Sequence, residues 1–194
     1  DSVILAGTCM GGWQSTGYST SRPFRWSEAA GFEDLGCLQC DENSNDSAEG
    51  VGISADGGTV AGIMRRQAEG AEYQSFRWTA TGGIQPLGLL PGDNMNICAA
   101  INSNGAVIVG NSYNYPGYFV SQRPFRWTES GGMEELAAQL EGFNIADMST
   151  DGAIVVGTLP NTTMGRWDST SGLQVLGTGY VRAVSANGAI LIGA

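Results

Sequence analysis

The chain has 194 residues, with nine Arg, no Lys and no His against nineteen Asp and Glu, for a net charge of −10. Without Lys there is no Schiff base or P-loop lysine, and without His there is no Ser-His-Asp triad, no Cys-His pair and no histidine metal ligand. The acid surplus repels a phosphate backbone and excludes nucleic acid as a partner, so an enzyme would be left with carboxylate hydrolysis or an oxygen-ligated cation.

The longest apolar runs, such as 106–109 and 153–156, fall far short of the roughly 20 residues a membrane helix requires, so no membrane insertion is expected. The chain opens almost directly on a strand-like run, Val3-Ile4-Leu5-Ala6-Gly7, so the opening is expected to be a strand and not a signal peptide. A variable loop over 8–22 leads to Arg22-Pro23-Phe24-Arg25-Trp26, and Gly31-Phe32-Glu33-Asp34-Leu35-Gly36 follows. Cys37-x-x-Cys40 and an acidic stretch from Asp41 to Glu49 come next. The segment 53–62 then places Asp56-Gly57 between two apolar stretches, which predicts a hairpin whose type I′ turn needs positive φ at both central residues.

From here the blocks recur in the same order. The hairpin block returns at 101–110, 148–157 and 184–193; Phe-Arg-Trp returns at 76–78 and 125–127 and, as Gly-Arg-Trp, at 165–167. The Gly-x-x-x-Leu block returns at 83–87, 132–136 and 172–176, and steps of 52, 49 and 40 residues separate the tryptophans. Each unit reads as four short strands: one ending at Ser or Asn, an apolar strand ending at Gly, the Phe-Arg-Trp strand and the Gly-x-x-x-Leu strand. Four strands per repeat predict an all-β fold of β-propeller blades, about four blades' worth. A single domain over 1–194 divides into units of approximately 1–49, 50–97, 98–144 and 145–180 and a partial unit at 181–194. A short helical turn is expected within 133–140. One strand exceeds what a closed four-bladed ring holds, so the residues are expected to be a window on a longer repeat protein, or to offer a strand to a neighbouring subunit.

Trp26, Trp78, Trp127 and Trp167, with Phe24, Phe76 and Phe125, recur once per unit and are assigned to packing between blades rather than to a carbohydrate platform. Arg25, Arg77, Arg126 and Arg166 are assigned to ion pairs and to covering apolar surface with their stems; a ring of arginines for an anionic ligand is the sharper alternative. Asp41, Asn43, Asn45, Asp46 and Glu49 begin like a calcium loop, but Asp46 stands where that loop needs Gly. A solvated loop is the default there, and no cofactor is expected beyond a possible structural Ca²⁺.

Cys37 with Cys40 is the first choice of disulfide, with Cys9 and Cys98 as alternative partners. This use of cysteine, together with Asn-x-Ser/Thr sequons at Asn45 and Asn161, suits an extracellular or cell-surface protein more than a periplasmic one. The loops 8–22, 64–75 and 111–123 are rich in Tyr, Ser, Gly and Asn, and Tyr113, Tyr115 and Tyr118 are the ligand-contact candidates. Glu33-Asp34 and Glu134-Glu135 occupy equivalent repeat positions, which marks a repeated surface feature rather than one catalytic pair.

Taken together, the Asn/Asp-Gly hairpin with its Val-Val-Gly run, the Phe-x-Trp block and the Gly-x-x-x-Leu-Gly block resemble the HAF repeats of bacterial extracellular and autotransporter-associated proteins. Arg22-Pro23-Phe24 and Arg123-Pro124-Phe125 stand in place of that family's His-Ala-Phe. The resemblance implies a propeller-like repeat protein with no catalytic motif to transfer. The expected function is a non-enzymatic scaffold, filament building block or adhesin that meets other copies or a host or matrix surface. A glycan- or peptide-binding propeller using the variable loops is the alternative, and a carboxylate-dependent secreted hydrolase the third.

Overall fold

A computed structural model describes residues 4–10, 21–37, 46–66, 72–114 and 122–194. Within them the chain forms five antiparallel sheets in sequence order. β1 (Ile4–Met10), β2 (Ser21–Ser27) and β3 (Gly31–Asp34) make the first. The second holds β4 (Ser47–Ile53), β5 (Thr59–Arg66), β6 (Glu72–Thr79) and β7 (Gly83–Pro86). The third holds β8 (Met95–Ile101), β9 (Val107–Tyr113), β10 (Gln122–Thr128) and β11 (Gly132–Glu135), and a 3-10 turn at Ala138–Leu140 follows it. The fourth holds β12 (Asn144–Met148), β13 (Ile154–Leu159), β14 (Thr163–Asp168) and β15 (Gly172–Thr178), and β16 (Val181–Val184) with β17 (Leu191–Gly193) form the last. The architecture is a β-propeller type. Inner strands meet in succession, β4 with β8, β8 with β12 and β12 with β16, and β1, which pairs with β2 as β5 pairs with β6, meets β4.

The sheets are meanders because each Phe-Arg-Trp strand lies between the apolar strand before it and the short strand after it. In the second sheet Gly62, Ala61 and Val60 of β5 face Phe76, Arg77 and Trp78 of β6, and Phe76, Arg77 and Trp78 face Pro86, Gln85 and Ile84 of β7. Every inner strand carries a register shift at the equivalent place, Gly50/Gly52, Cys98/Ala100, Ile145/Asp147 and Val181/Ala183. A bulge raises local twist, so the repeated bulge lets successive sheets fan about one side.

The turn joining inner and second strands differs from the type I′ expectation. Only its glycine takes positive φ (Gly57 +69°, Gly105 +72°, Gly152 +78°, Gly188 +72°). The reason is the preceding side chain. Ser54 Oγ accepts a bond from Thr59 N at 2.9 Å and donates to Asp56 Oδ1 at 2.6 Å, while Gly57 N donates to Ser54 O. Ser149 and Ser185 repeat this arrangement, and Asn102 accepts from Val107 N through its amide oxygen. Neighbouring turns are linked main chain to main chain: Ala55 N donates to Ser103 O, Ser103 N to Thr150 O and Thr150 N to Ala186 O, at 2.7 to 3.0 Å.

A second correction concerns Gly62, Gly110 and Gly157, expected to end their strands. They lie inside strands that run on to Arg66, Tyr113 and Leu159. A side chain at Gly110 would strike the Ile97 carbonyl and the Phe125 ring, and at Gly62 the Glu49 carbonyl and the Phe76 ring. Glycine is there because an aromatic ring lies on it. In the fourth sheet Gly165 replaces the phenylalanine, and the ring comes from elsewhere. Phe143, just before β12, is fully buried against both glycines: a Cβ at Gly157 would lie 3.0 Å from its ring and one at Gly165 2.8 Å.

Three apolar clusters sit between consecutive sheets. Leu35, Ala48, Val60, Met64, Phe76 and Trp78 fill the first junction. Ala61, Leu87, Leu90, Cys98, Ile108 and Phe125 fill the second. Ala100, Val107, Val109, Leu140, Phe143, Ile145, Met148 and Val155 fill the third. At roughly 25 cal/mol per Å² of apolar surface removed from water, these junctions are the main source of stability, and each sheet depends on its neighbours.

Candidate functional site

The repeated arginines reach across sheet boundaries. Arg25 of β2 lies over the Trp78 ring of β6, and Arg77 of β6 lies over the Trp127 ring of β10, each 5.7 Å from the ring centroid. Arg25 Nη1 also donates to Gly57 O at 3.1 Å, and Arg77 pairs with Glu129 at 3.4 Å. Strand alternation explains the geometry: Arg and Trp are adjacent in sequence and point to opposite faces, so Arg25 and Arg77 face the following sheet while Trp78 and Trp127 face the preceding one. Phe-Arg-Trp is thus a staple read across two units. Arg166 instead pairs with Asp168 of its own strand at 2.7 Å.

Two buried asparagines, not singled out by the repeat pattern, lock the same junctions. Asn96 of β8 accepts from Ser75 N and donates to Gly88 O, both at 2.6 Å. Asn111 of β9 donates to Phe143 O at 2.7 Å and accepts from Ile145 N at 2.9 Å. Each side chain satisfies a donor and an acceptor of the neighbouring sheet, which buried main chain demands. The only signal in the sequence was a polar residue inside a strand of otherwise buried positions.

The carboxylates of the outer strands are engaged by arginine. Arg22 pairs with Asp34 at 3.4 Å, Arg25 with Glu33 at 3.7 Å and Arg123 with Glu135 at 3.3 Å. Arg123 also meets the buried Asp93 at 2.9 Å and donates to Pro91 O at 2.8 Å. The hydrogen bond and charge of Asp93 hold the Arg123 guanidinium even more firmly protonated. Asp56 and Asp151 have their carboxyls below the usual range through the bonds from Ser54 and Ser149. Asp168 is lowered by the Ser171 amide and then by Arg166.

Several expected site residues fall elsewhere. Tyr113 is in β9, paired with Met95 and Gln122 and buried, and burial pushes its phenol up. It is not a loop residue, because β9 continues past Gly110. Tyr115, Tyr118, Cys40, Asp41, Asn43 and Asn45 lie outside the described residues. Of the proposed calcium loop, Asp46 is buried ahead of β4 and Glu49 is exposed within β4, opposite Ile63. No group of three or more His, Cys, Asp or Glu side chains that could hold a metal occurs among the described residues. Cys9 and Cys98 are free thiols, which removes both as disulfide partners. Cys98 is buried in β8, its thiol donating to Gly62 O at 3.2 Å and pushed up to about 12 by burial. Cys37 is not a free thiol.

A cleft of about 680 Å³ opens between the third and fourth sheets. Gln122 at the start of β10, Asn144 at the start of β12, the β13–β14 turn and Tyr180 line it. Gln122 Nε2 donates to Asn144 Oδ1 at 3.1 Å. In the turn Asn161 and Thr162 both take positive φ, +63° and +58°, the only non-glycine residues to do so among those described. A β-branched residue there costs about 1–3 kcal/mol. The lining offers amide, hydroxyl and carbonyl groups with one acid, Glu141, a set suited to hydrogen-bonding a neutral polar ligand.

No protein-family model matches the chain, and no curated protein sequence is significantly similar to it. Among solved structures it is similar to TolB from Acinetobacter baumannii, with 13% identity and a TM-score of 0.53 over 92% of this chain and 43% of that one. It is similar as well to a TolB structure from Agrobacterium tumefaciens, with 14% identity and a TM-score of 0.53 over 93% of this chain and 64% of that one. A prolyl endopeptidase structure matches with 13% identity and a TM-score of 0.57 over 84% of this chain and 28% of that one. The chain therefore spans less than two thirds of each of these proteins, and the likeness concerns the propeller fold.

Proposed function

We propose that the chain is a non-enzymatic, HAF-type repeat module of a bacterial secreted or cell-surface protein, working as a scaffold through protein–protein contacts. One observation carries the reading: residues of the repeated blocks hold unit to unit at the junctions between sheets. Arg25 and Arg77 stack on the next unit's tryptophan, Phe76 and Phe125 fill junctions, and the hairpin turns bond to one another. The motif carboxylates Asp34, Glu33 and Glu135 face arginines of their own sheets rather than converging in a cleft as a glycosidase requires. A Cys37–Cys40 staple and an oxidising compartment belong to the same reading.

Sedimentation velocity from low micromolar to near-millimolar concentration, with electron microscopy of the assembled fraction, tests it. Concentration-dependent growth into regular assemblies is the expected outcome, and a monodisperse monomer throughout refutes the scaffold.

A second reading, glycan or peptide binding, is favoured by the strained Asn161-Thr162 turn beside the polar cleft, since retained strain clusters at ligand clamps. A glycan and peptide array probed with the unaltered chain and with Tyr180→Ala tests it. Signal lost in the variant supports the cleft, and no signal from the unaltered chain removes this reading.

A further inference from the structure

The cleft between the third and fourth sheets is built from positions where the repeat prescribes no residue. Gln122 and Thr162 each stand three places before the residue that faces the second-strand glycine, Phe125 in one unit and Gly165 in the next. The same position holds Ser21 and Tyr73 in the first two units. Asn144 and Tyr180 each stand one place before the inner-strand residue opposite that glycine, Ile145 and Val181, where earlier units carry Glu49 and Ile97. None of these four cleft residues belongs to an apolar junction cluster.

The main chain around the cleft is already engaged. Gly142 N donates to Gln122 O at 2.8 Å, Gly179 N to Thr162 O at 2.7 Å and Val181 N to Thr158 Oγ1 at 3.3 Å. The last two bonds flank Tyr180 and fix it against the β13–β14 hairpin. Gly142 has φ +78°, and a Cβ on it would lie 2.9 Å from Pro160 Cγ, so only glycine lets the walls approach there. The Asn161-Thr162 turn is held in its strained form by the Gly179 bond and by Thr162 Oγ1, which donates to Asn161 O at 2.7 Å. Strain that the surroundings maintain is a means of pre-organisation.

What remains open is side-chain chemistry. Gln122 Nε2 donates to Asn144 Oδ1 at 3.1 Å, which leaves Gln122 Oε1 as an acceptor beside Asn144 Nδ2 as a donor. Among the described residues the Glu141 carboxylate, the Asn161 amide and the Tyr180 hydroxyl have no partner. Tyr180 is 51% exposed, and Glu141 is the one charged residue among those lining the cleft.

We propose that this cleft binds a neutral oligosaccharide. The Tyr180 ring offers an apolar platform to the C–H face of a pyranose. The Gln122–Asn144 pair reads two neighbouring hydroxyls, since each hydroxyl both donates and accepts, and Glu141 accepts from a third. The volume, about 680 Å³, lies within the range of small-ligand sites, roughly 300–1,000 Å³, and holds a short chain of sugar units. A peptide fits less well, because an extended segment binds by adding to main-chain groups of an open sheet edge, and those named above are taken. An acidic sugar meets Glu141 with no cation in the lining to offset it. The proposal rests on the second reading above and names its ligand class and the residues that select it.

The test is a printed array of neutral gluco-, manno-, galacto-, xylo- and chito-oligosaccharides, with sialylated and sulfated oligosaccharides and peptides as further arms, probed with the intact chain. The neutral oligosaccharide that binds best is then titrated calorimetrically against the chain and three variants, each verified as folded by circular dichroism. Tyr180→Ala and Asn144→Asp should each weaken binding about tenfold or more, the first by removing the platform and the second by removing the donor. Tyr180→Phe should keep affinity within about threefold, because the ring and not the hydroxyl forms the platform. Preference for sialylated or sulfated forms, loss of binding in Tyr180→Phe, or indifference to either Tyr180→Ala or Asn144→Asp overturns the proposal. Signal confined to peptides and lost in Tyr180→Ala refutes the saccharide and leaves the cleft standing as a binding site. No signal from any probe refutes the proposal and the second reading together.

Discussion

Phe143 occupies a place that its own unit's third strand left empty, and exchanging the two positions tests whether one aromatic site recurs through the molecule. Phe143→Ala removes a fully buried ring from the largest junction cluster, a change that costs about 3–5 kcal/mol. For a chain of this length that lowers the melting temperature by roughly 6–20 °C. Gly165→Phe alone is also destabilising, because its Cβ would already lie 2.8 Å from the Phe143 ring and overpacking costs about 1–3 kcal/mol. In the Phe143→Ala background that obstacle is gone. The other near atoms are flexible leucine ends, Leu173 Cδ1 at 3.2 Å and Leu159 Cδ1 at 3.4 Å. The new phenylalanine then faces Gly157 in the register that Phe125 has with Gly110. The double variant should recover about half of the loss, which with the cost of Gly165→Phe alone makes the coupling about 3–5 kcal/mol. Urea unfolding of the four proteins, followed by circular dichroism, measures the cycle. Additive losses, with the double variant less stable than Phe143→Ala, would sink the idea that one ring site is filled from two places in the chain.

Three further outcomes follow from the same junctions. Arg77→Ala, which loses the Trp127 stack and the Glu129 contact, should lower stability by about 1 kcal/mol, and Arg77→Lys should restore only part of it in thermal melts, since the planar guanidinium makes the stack. Asp56 and Asp151 have lowered folded-state pKa values, so their contribution is present above the unfolded value near 4 and is lost as pH falls through the folded one. Asp56→Asn with Asp151→Asn, which copies the Asn187 turn, should leave the neutral-pH melt nearly unchanged and flatten its decline below about pH 4; an unchanged acid limb would contradict the assignment. In the native protein a thiol reagent should modify exposed Cys9 promptly and reach Cys98 only on unfolding, because burial raises that thiol to about 12.

The repeat blocks alone carried the sheet order, because hairpin glycines and Phe-Arg-Trp strands fall at fixed offsets and adjacent antiparallel strands pair by default. The short turn within 133–140 also stands, as the 3-10 turn at Ala138–Leu140. Strand extent was not legible. Whether Gly110 ends a strand or lies beneath a ring depends on Phe125, fifteen residues away and across the sheet. The turn type was misjudged for a related reason: Ser54 bonds Asp56 and Thr59 and supplies what a second positive φ would otherwise provide. Phe143, Asn96 and Asn111 belong to no repeated block, and their importance comes from sequence-distant partners such as Gly165, Ser75 and Ile145. The polar cleft was equally hidden, since it is assembled from the ends of β10, β12 and β13.

The bonds between hairpin turns use only the main chain of residues 55, 103, 150 and 186. Selection on the contact is therefore blind to side-chain identity there, and the four positions have diverged to Ala, Ser, Thr and Ala. They stand next to one another along one end of the molecule, three of them exposed. Such a row can drift, or be rewritten, without loosening the units beneath it, which makes it the part of the surface freest to acquire a new specificity.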